Sequence, residues 1–482
     1  MSNFGISTAS VPSALVCISQ IFKNLVTNRK IHVIIVSEIE FIKEYHYMKI
    51  KTIPFILAAA MLTASCGKLM DTSKKPEADT EQHSAISTEV REENKPSVET
   101  ARDTIPADEN SAAVSAPEED PADENKTGKT VVHLACAGDN LIHDNIYVEA
   151  QQEDGSYDFS KCYAPCKKLI EGTDVAILNQ ETLVNDAFEP STFPMFSSPT
   201  EVGDAVLDFG FNVISMSNNH VLDKFSDGLI SSLDYWDSKG VVHYGAYRDE
   251  DDSENIRTME VNGIKFAFLG YMEHTNGIFL GDGDPGKVVY LSDEETVKRQ
   301  IMEADNMADV VVVSCHYGTE VLNDLNDMQL ELTPKLVEWG ADLIIGTQAH
   351  ALSTCTYLDK PDGGQAFCYY GLGNFFSTMF DGDNPDGQFG RSIIGIFGKL
   401  DVVKDYDNGG AISFENVKAI PVISHYEGYS WDSMWYNCAV YPYGDYTDDM
   451  LYRHMMYQRA GVNRNVLQNY INYIPEEFLA YE

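Results

Sequence analysis

From Val131 onward the chain repeats one pattern: a strand-length apolar run that ends abruptly on small or polar residues. The runs read VVHLACAG, DVAILNQ, NVISMSN, IKFAFLGY, DVVVVSCH, DLIIGTQ and AFCYYGLGN. Between several of them lie helical patterns, for example Ser226 to Lys239 and Met328 to Trp339, the latter followed by Gly340 as a helix stop. Strands this uniformly apolar must hide both faces from water. Their alternation with helices therefore predicts an α/β fold, a largely parallel sheet covered on both sides.

The polar residues cluster where such a fold places ligand sites, at the carboxyl ends of the predicted strands. They are Gly138-Asp139-Asn140, Asn179-Gln180-Glu181 and Ser217-Asn218-Asn219-His220, then His316-Tyr317-Gly318-Thr319-Glu320, Gly346-Thr347-Gln348-Ala349-His350 and Gly371-Leu372-Gly373-Asn374-Phe375. Any one of these alone is ordinary turn, cap or structural-histidine chemistry. Carboxylates, imidazoles and amide oxygens converging on one crevice are instead a ligand set for divalent Zn, Mn or Fe. One or two such ions would polarise a phosphoryl or carbonyl oxygen and generate hydroxide near neutral pH. His220 and Asn219 are neighbours, so both can reach one centre, one as ligand and one as proton donor. Gly138 and Gly346 would let backbone approach the site closely.

The order and spacing of these motifs resemble the CapA family of poly-γ-glutamate capsule synthesis proteins, whose fold is similar to the calcineurin-like metallophosphoesterases. The resemblance spans roughly Val131 to Val422 and rests on SNNHVLDKFSDGL (Ser217 to Leu229), HYGTE (His316 to Glu320) and GLGNF (Gly371 to Phe375), with the Gly-Asp and Asn-x-Glu of the first two strands. It implies a layered α/β sandwich with its motifs at strand carboxyl ends. It also implies Asp139, Glu181, Asn219, His316 and His350 as metal ligands, with Glu181 bridging two ions, and His220 as the acid or orienting group beside the reacting centre at Asp139. Asn140, Asn179, Glu320 and Asn374 would hold ligands or substrate. The family's Gly-x-His-x-His reads Gly346-Thr347-Gln348-Ala349-His350 here, so Gln348 would offer an amide oxygen, and a second ion would be weaker, harder or absent. Leu141 stands where true phosphoesterases carry the His of Asp-x-His.

Charge narrows the partners. With 34 Lys plus Arg against 75 Asp plus Glu, the formal net charge is −41, which argues against nucleic acid, whose phosphates are held by Lys and Arg. The excess favours cations, metals or basic polymers and sits awkwardly with a polyanion unless the crevice itself is positive. No run of about 18 uninterrupted apolar residues predicts a spanning helix.

Met48 to Cys66, MKIKTIPFILAAAMLTASC, has the basic start (Lys49, Lys51), short apolar run and small residues of a signal peptide. Ala64 and Ser65 before Cys66 resemble a bacterial lipobox, with Thr63 where Leu is usual. The expectation is an extracytoplasmic protein held at the cell membrane by a lipid on Cys66, with residues 1–47 an upstream over-extension and translation starting at Met48. Residues 67–128, rich in Glu, Asp, Ser, Thr, Ala and Pro, read as a disordered acidic tether. The folded domain is expected over 129–424 and an aromatic-rich capping segment over 425–482, where Tyr426, Tyr429, Trp431, Trp435 and Tyr436 either bury against the sheet or form a stacking rim. The nine cysteines form no disulfide framework, although Cys355 and Cys368 flank the turn Pro361-Asp362-Gly363-Gly364 and could face each other across a hairpin.

Two functions fit best, with a regulator that merely senses metal as a third: a metal-dependent hydrolase of a phosphoester or of the amide of an anionic cell-envelope polymer, or a non-catalytic binding or assembly component of a capsule-synthesis complex. Gln348 and Leu141 discriminate between them, because a weakened metal site is tolerable only where chemistry is not required or uses one ion.

Overall fold

Every apolar run named above forms a strand. The computed structural model describes residues 126–379, 388–430 and 434–482. Its strands are β1 (Lys129–Leu141), β2 (Val175–Asn179), β3 (Val213–Ser215), β4 (Val242–Tyr244), β5 (Ala246–Tyr247), β6 (Arg257–Val261), β7 (Ile264–Met272) and β8 (Lys287–Val288). They continue as β9 (Val310–Tyr317), β10 (Leu343–Gln348), β11 (Cys355–Asp359), β12 (Gln365–Tyr369), β13 (Asn374–Ser377), β14 (Ile394–Asp405), β15 (Ala411–Glu427) and β16 (Tyr436–Pro442).

The largely parallel sheet expected from the sequence is corrected to two mixed sheets. The first has the order β16-β15-β14-β1-β2-β3-β4, with β13 also on β1, and the second β11-β12-β10-β9-β7-β6. In the first, β1 to β4 and β13 are parallel, while β14, β15 and β16 extend it antiparallel. In the second, β12, β10, β9 and β7 are parallel and the edges β11 and β6 are antiparallel. Strand alternation explains the division. Val310 and Val312 point into a core shared with the first sheet, whereas Val311 and Val313 point into a second core. That second core is closed by Val297, Ile301 and Ala304 of the helix Glu294–Met307 and by Leu332, Leu336 and Val337 of the helix Asp327–Trp339. Both strand faces are apolar, so the alternation leaves no trace in the sequence.

Helix ends follow local chemistry. Asp327–Trp339 begins with a capping box, Asn326 accepting from the Gln329 amide while the Gln329 side chain accepts from the Asn326 amide, and it stops at Gly340. The helix Phe225–Lys239 buries Leu229, Leu233 and Trp236 against the first sheet's core. Between the sheets, Tyr244 and Ser314 join their hydroxyls at 2.7 Å, tying β4 to β9. The carboxyl ends of β1, β2, β3, β9 and β10 thereby meet at one end of the sandwich.

The hairpin at Pro361–Gly364 forms, but its cysteines do not face each other. Cys355 lies opposite Tyr369 and Cys368 opposite Thr356, an offset that puts Cys355 in the core between the sheets and Cys368 on the helix side. Both are free and buried, as are Cys162 and Cys166. The aromatic stretch after residue 424 serves packing first. β15 runs on to Glu427, β16 pairs with it, and Tyr426 stacks on Trp435 with ring centroids 4.8 Å apart. Tyr429 remains 76% exposed. Residues 1–125, with the signal-like segment, Cys66 and most of the acidic stretch, and also Trp431, lie outside the described residues. Among the described residues no helix is long and apolar enough to cross a membrane.

Candidate metal centre

The end of β1 breaks register between Asp139 and Asn140, and this irregularity sends the two side chains on different errands. Asp139 Oδ1 accepts from Asn179 Nδ2 at 2.7 Å, and its Oδ2 lies 3.1 Å from His350 Nδ1. Asn140 instead donates to Gln180 Oε1 and accepts from the Tyr163 hydroxyl, so both ends of its amide are engaged with the scaffold. Asn179 is held in turn by Asn218, whose Nδ2 donates to Asn179 Oδ1 and to the Gln180 carbonyl.

Glu181 follows β2 and is buried beside Asp139. Its Oε1 lies 3.6 Å from His316 Nε2 and 3.7 Å from His350 Nε2. Both imidazoles are oriented from behind through Nδ1: that of His316 meets Thr347 Oγ1 at 2.8 Å, that of His350 meets Asn374 Oδ1 at 2.9 Å. Such partners fix ring orientation; Nε2 of each ring faces Glu181, while Nδ1 of His350 also lies against Asp139 Oδ2. Asn219 Oδ1 joins on the other side, 3.1 Å from His316 Nε2. Asp139, Glu181 and His350 bring one ligand atom each within 4.8 Å of one another.

The last turn of β10 is strained to achieve this. Gln348 and His350 both hold positive φ, 87° and 50°, a region unfavourable for residues with a Cβ. Glycines make room for the backbone beneath. A Cβ on Gly138 would stand 1.9 Å from the Gly373 carbonyl oxygen, and one on Gly346 2.0 Å from that of Tyr370. The close approach expected at these positions is thus of the segment carrying Asn374, which braces His350.

The electrostatics are those of a site built for positive charge. Burial and the neighbouring Asp139 hold the Glu181 carboxyl well above its ordinary range. Burial raises Asp139 too, but the contact with His350 outweighs it and leaves that carboxyl below its usual value. Burial opposes charge on His350, yet Glu181 and Asp139 lift it to about 10, whereas burial drives His316 down to about 3. Asp139 Oδ2, both Glu181 oxygens and Gln348 Oε1 are buried without a hydrogen-bond partner. Unpaired buried carboxylates cost on the order of several kcal/mol each. A divalent cation satisfies these acceptors together, and oxygens mixed with imidazole suit Zn, Mn or Fe. The residues present fit such a group: Asp139, Glu181 and His350, then His316 and Asn219, with Gln348 at the margin.

His220 sits beside this centre. Its Nδ1 meets Asp223 Oδ2 at 2.8 Å, and its ring packs edge-on against Phe196 at 4.8 Å. The same Asp223 oxygen accepts from the Phe196 amide at 2.6 Å, fastening the preceding loop over the imidazole. Glu320 is exposed at the rim and accepts from Gln348 Nε2 at 3.2 Å. Sequence reasoning did not assign roles to Asn218, Thr347 or Asp223, although each lies within a motif it quoted. Asn276, which contacts Asn219 and His220, comes from a distant loop with no signal at all.

Comparison with known proteins agrees with this picture at the level of family. The chain is 34% identical over 170 residues to the PGA biosynthesis protein CapA of Bacillus subtilis (strain 168), covering 35% of this chain and 43% of that protein. It is 30% identical over 184 residues to the capsule biosynthesis protein CapA of Bacillus anthracis, covering 37% of this chain and 43% of that protein. The matches therefore span less than half the length of either relative. Among solved structures, a phosphatase of Mycoplasma pneumoniae overlays at a TM-score of 0.39 and 15% identity, covering 61% of this chain and 94% of that one. The NAD nucleotidase NadN of Haemophilus influenzae overlays at 0.39 and 13%, covering 73% and 65%. The model of the bacterial capsule synthesis protein PGA_cap family matches residues 133–379, slightly more than half of the 482-residue chain, and the protein belongs to that family.

Proposed function

We propose that this protein acts in the synthesis of a capsule or another anionic cell-envelope polymer, as a metal-dependent hydrolase of a phosphoester or amide bond. The observation that carries the reading is the set of unpaired buried oxygens on Asp139 and Glu181, facing His316 and His350. Asp139, Glu181, His350, His316 and Asn219 would hold one or two divalent ions, of Mn, Zn or Fe. The chemistry such ions supply when bound is polarisation of a phosphoryl or carbonyl oxygen and acidification of a water.

The chain's own residues supply the rest. Asp223 accepts from Nδ1–H of His220, which sets the tautomer and leaves Nε2 as the atom that takes or gives a proton at the leaving group. Phe196 closes one side of that ring and limits water there. Asn179 and Asn374 keep Asp139 and His350 in place. A chain of net charge −41 repels a polyanion, so an anionic substrate would depend on the bound ions for its attraction to the centre. The segment Met48 to Cys66 would deliver the protein across the membrane and Cys66 would carry its lipid anchor, a reading supported by sequence alone.

Gln348 favours a second reading, a polymer-binding or assembly component of a capsule-synthesis complex in which the centre is structural. One experiment separates them. The purified full chain is loaded with Mn, Zn or Fe, its metal content measured, and phosphoester and poly-γ-glutamyl amide substrates offered, beside Asp139→Ala and His316→Ala. Metal uptake with turnover lost in both variants supports the hydrolase. Uptake without turnover moves the assignment to binding or assembly, and equal metal content in wild type and variants removes the metal centre altogether.

A further inference from the structure

Gln348 is buried to 1% exposure, two residues before His350, and its backbone is held at φ 87°. Its amide is asymmetric in its contacts. Nε2 donates to Glu320 Oε1 at 3.2 Å, while Oε1 is buried with no partner. An ionised carboxylate accepts and cannot donate, so Glu320 settles which end of the amide points outward. The carbonyl oxygen is left on the inner side, buried and without a partner, and Glu320 stands near enough to the centre to push the Glu181 carboxyl further above its ordinary range.

We propose that Glu320 is a positioning residue that turns the Gln348 amide so that its oxygen serves as a ligand, making the Gln348 side of the centre a position for a hard divalent cation, Mn²⁺ or Mg²⁺, in preference to Zn²⁺. The inference rests on the metal-centre reading above and deepens it. An amide carbonyl is a neutral hard oxygen donor and imidazole a borderline nitrogen donor, and the two rank these ions differently. Glu320, exposed and with Gln348 as its one hydrogen-bond partner among the described residues, matches the outer partner that ligands require for orientation.

The test is equilibrium dialysis of the full chain against Mn²⁺ and Zn²⁺, in competition and separately, for wild type, Gln348→His, Glu320→Ala and Glu320→Gln. Gln348→His is expected to shift the Mn²⁺-to-Zn²⁺ affinity ratio toward zinc by about tenfold or more. Glu320→Ala, which frees the amide, is expected to weaken Mn²⁺ about tenfold, and Glu320→Gln, whose carbonyl can still accept from Nε2, to restore most of it. A scaffold role for Glu320 would alter stability and leave the ion ratio unmoved. Metal uptake with an unchanged ratio in Gln348→His overturns this inference and spares the centre. No metal uptake by wild type overturns both.

Discussion

Nε2 of His316 lies 3.6 Å from Oε1 of Glu181, too far for a hydrogen bond and close enough for one ion to touch both. The same oxygen stands 3.7 Å from His350 Nε2, so a single carboxylate is poised between two imidazoles while both its oxygens lack partners. A site of this kind is expensive when unliganded, and that cost is measurable.

The first prediction concerns Glu181. Wild-type protein is expected to gain about 2.7 kcal/mol of stability from metal at a hundredfold excess over Kd. Glu181→Gln, which removes a buried, unpartnered carboxyl whose ionisation its surroundings oppose, should make the metal-free protein more stable by about 1–3 kcal/mol and abolish the gain from metal. Thermal melts with and without chelator decide it; a variant less stable without metal and equally responsive to it would refute the account.

Asp223 ties two things with one oxygen, the His220 imidazole and the Phe196 amide. Asp223→Ala is expected to cost about 2–3 kcal/mol, since it strands a buried donor as well as removing a charged acceptor. Hydrogen exchange at Phe196 and its neighbours should accelerate while that of β9 and β10 does not. Uniform acceleration across the chain would show instead that Asp223 is a general structural support.

Gly346→Ala places a Cβ 2.0 Å from the Tyr370 carbonyl oxygen, which belongs to backbone and cannot rotate aside. The expected loss is about 3 kcal/mol, at the upper end for overpacking, with displacement of the segment that carries Asn374. Urea midpoints measure the first effect. Metal affinity measures the second, because Asn374 orients His350.

His454 gives a pH dependence remote from the centre. Its Nδ1 accepts from the Met456 amide and its Nε2–H donates to the Ser424 carbonyl, so Nδ1 is the one nitrogen left to take a proton and would lose its partner on doing so. Burial pushes its pKa from the ordinary 6.5 down to about 3. Below pH 6.5 the unfolded chain binds a proton here that the folded chain does not. The stability contributed is therefore present above that pH and lost as pH falls, by about 1.4 kcal/mol per pH unit for one group. Melts between about pH 4 and 6.5 should slope less steeply by this amount in His454→Gln; parallel curves for the two proteins would exclude His454 as the source.

How much could be read from residues alone depended on the range of the interactions involved. The apolar runs of β1, β2, β3, β7, β9, β10 and β12 and the helices before Lys239 and Trp339 were legible, because burial of a strand or of one helix stripe is written in neighbouring residues. So was the gathering of polar side chains at strand ends, where Asp139, Glu181, Asn219, His316 and His350 converge. The strands β14, β15 and β16 were not, since much of their length mixes polar with apolar residues and β14 enters the sheet by pairing with the distant β1. What only the tertiary structure decided was division of labour. A break in register turned Asn140 toward Tyr163 while its neighbour Asp139 faced the centre. An odd offset in a hairpin put Cys355 and Cys368 on opposite faces. An exposed carboxylate, Glu320, chose which end of Gln348 points inward. Composition and spacing determine which groups reach a strand end; the direction each one faces depends on register and on partners brought from other strands, and no single stretch of sequence contains both members of such a pair.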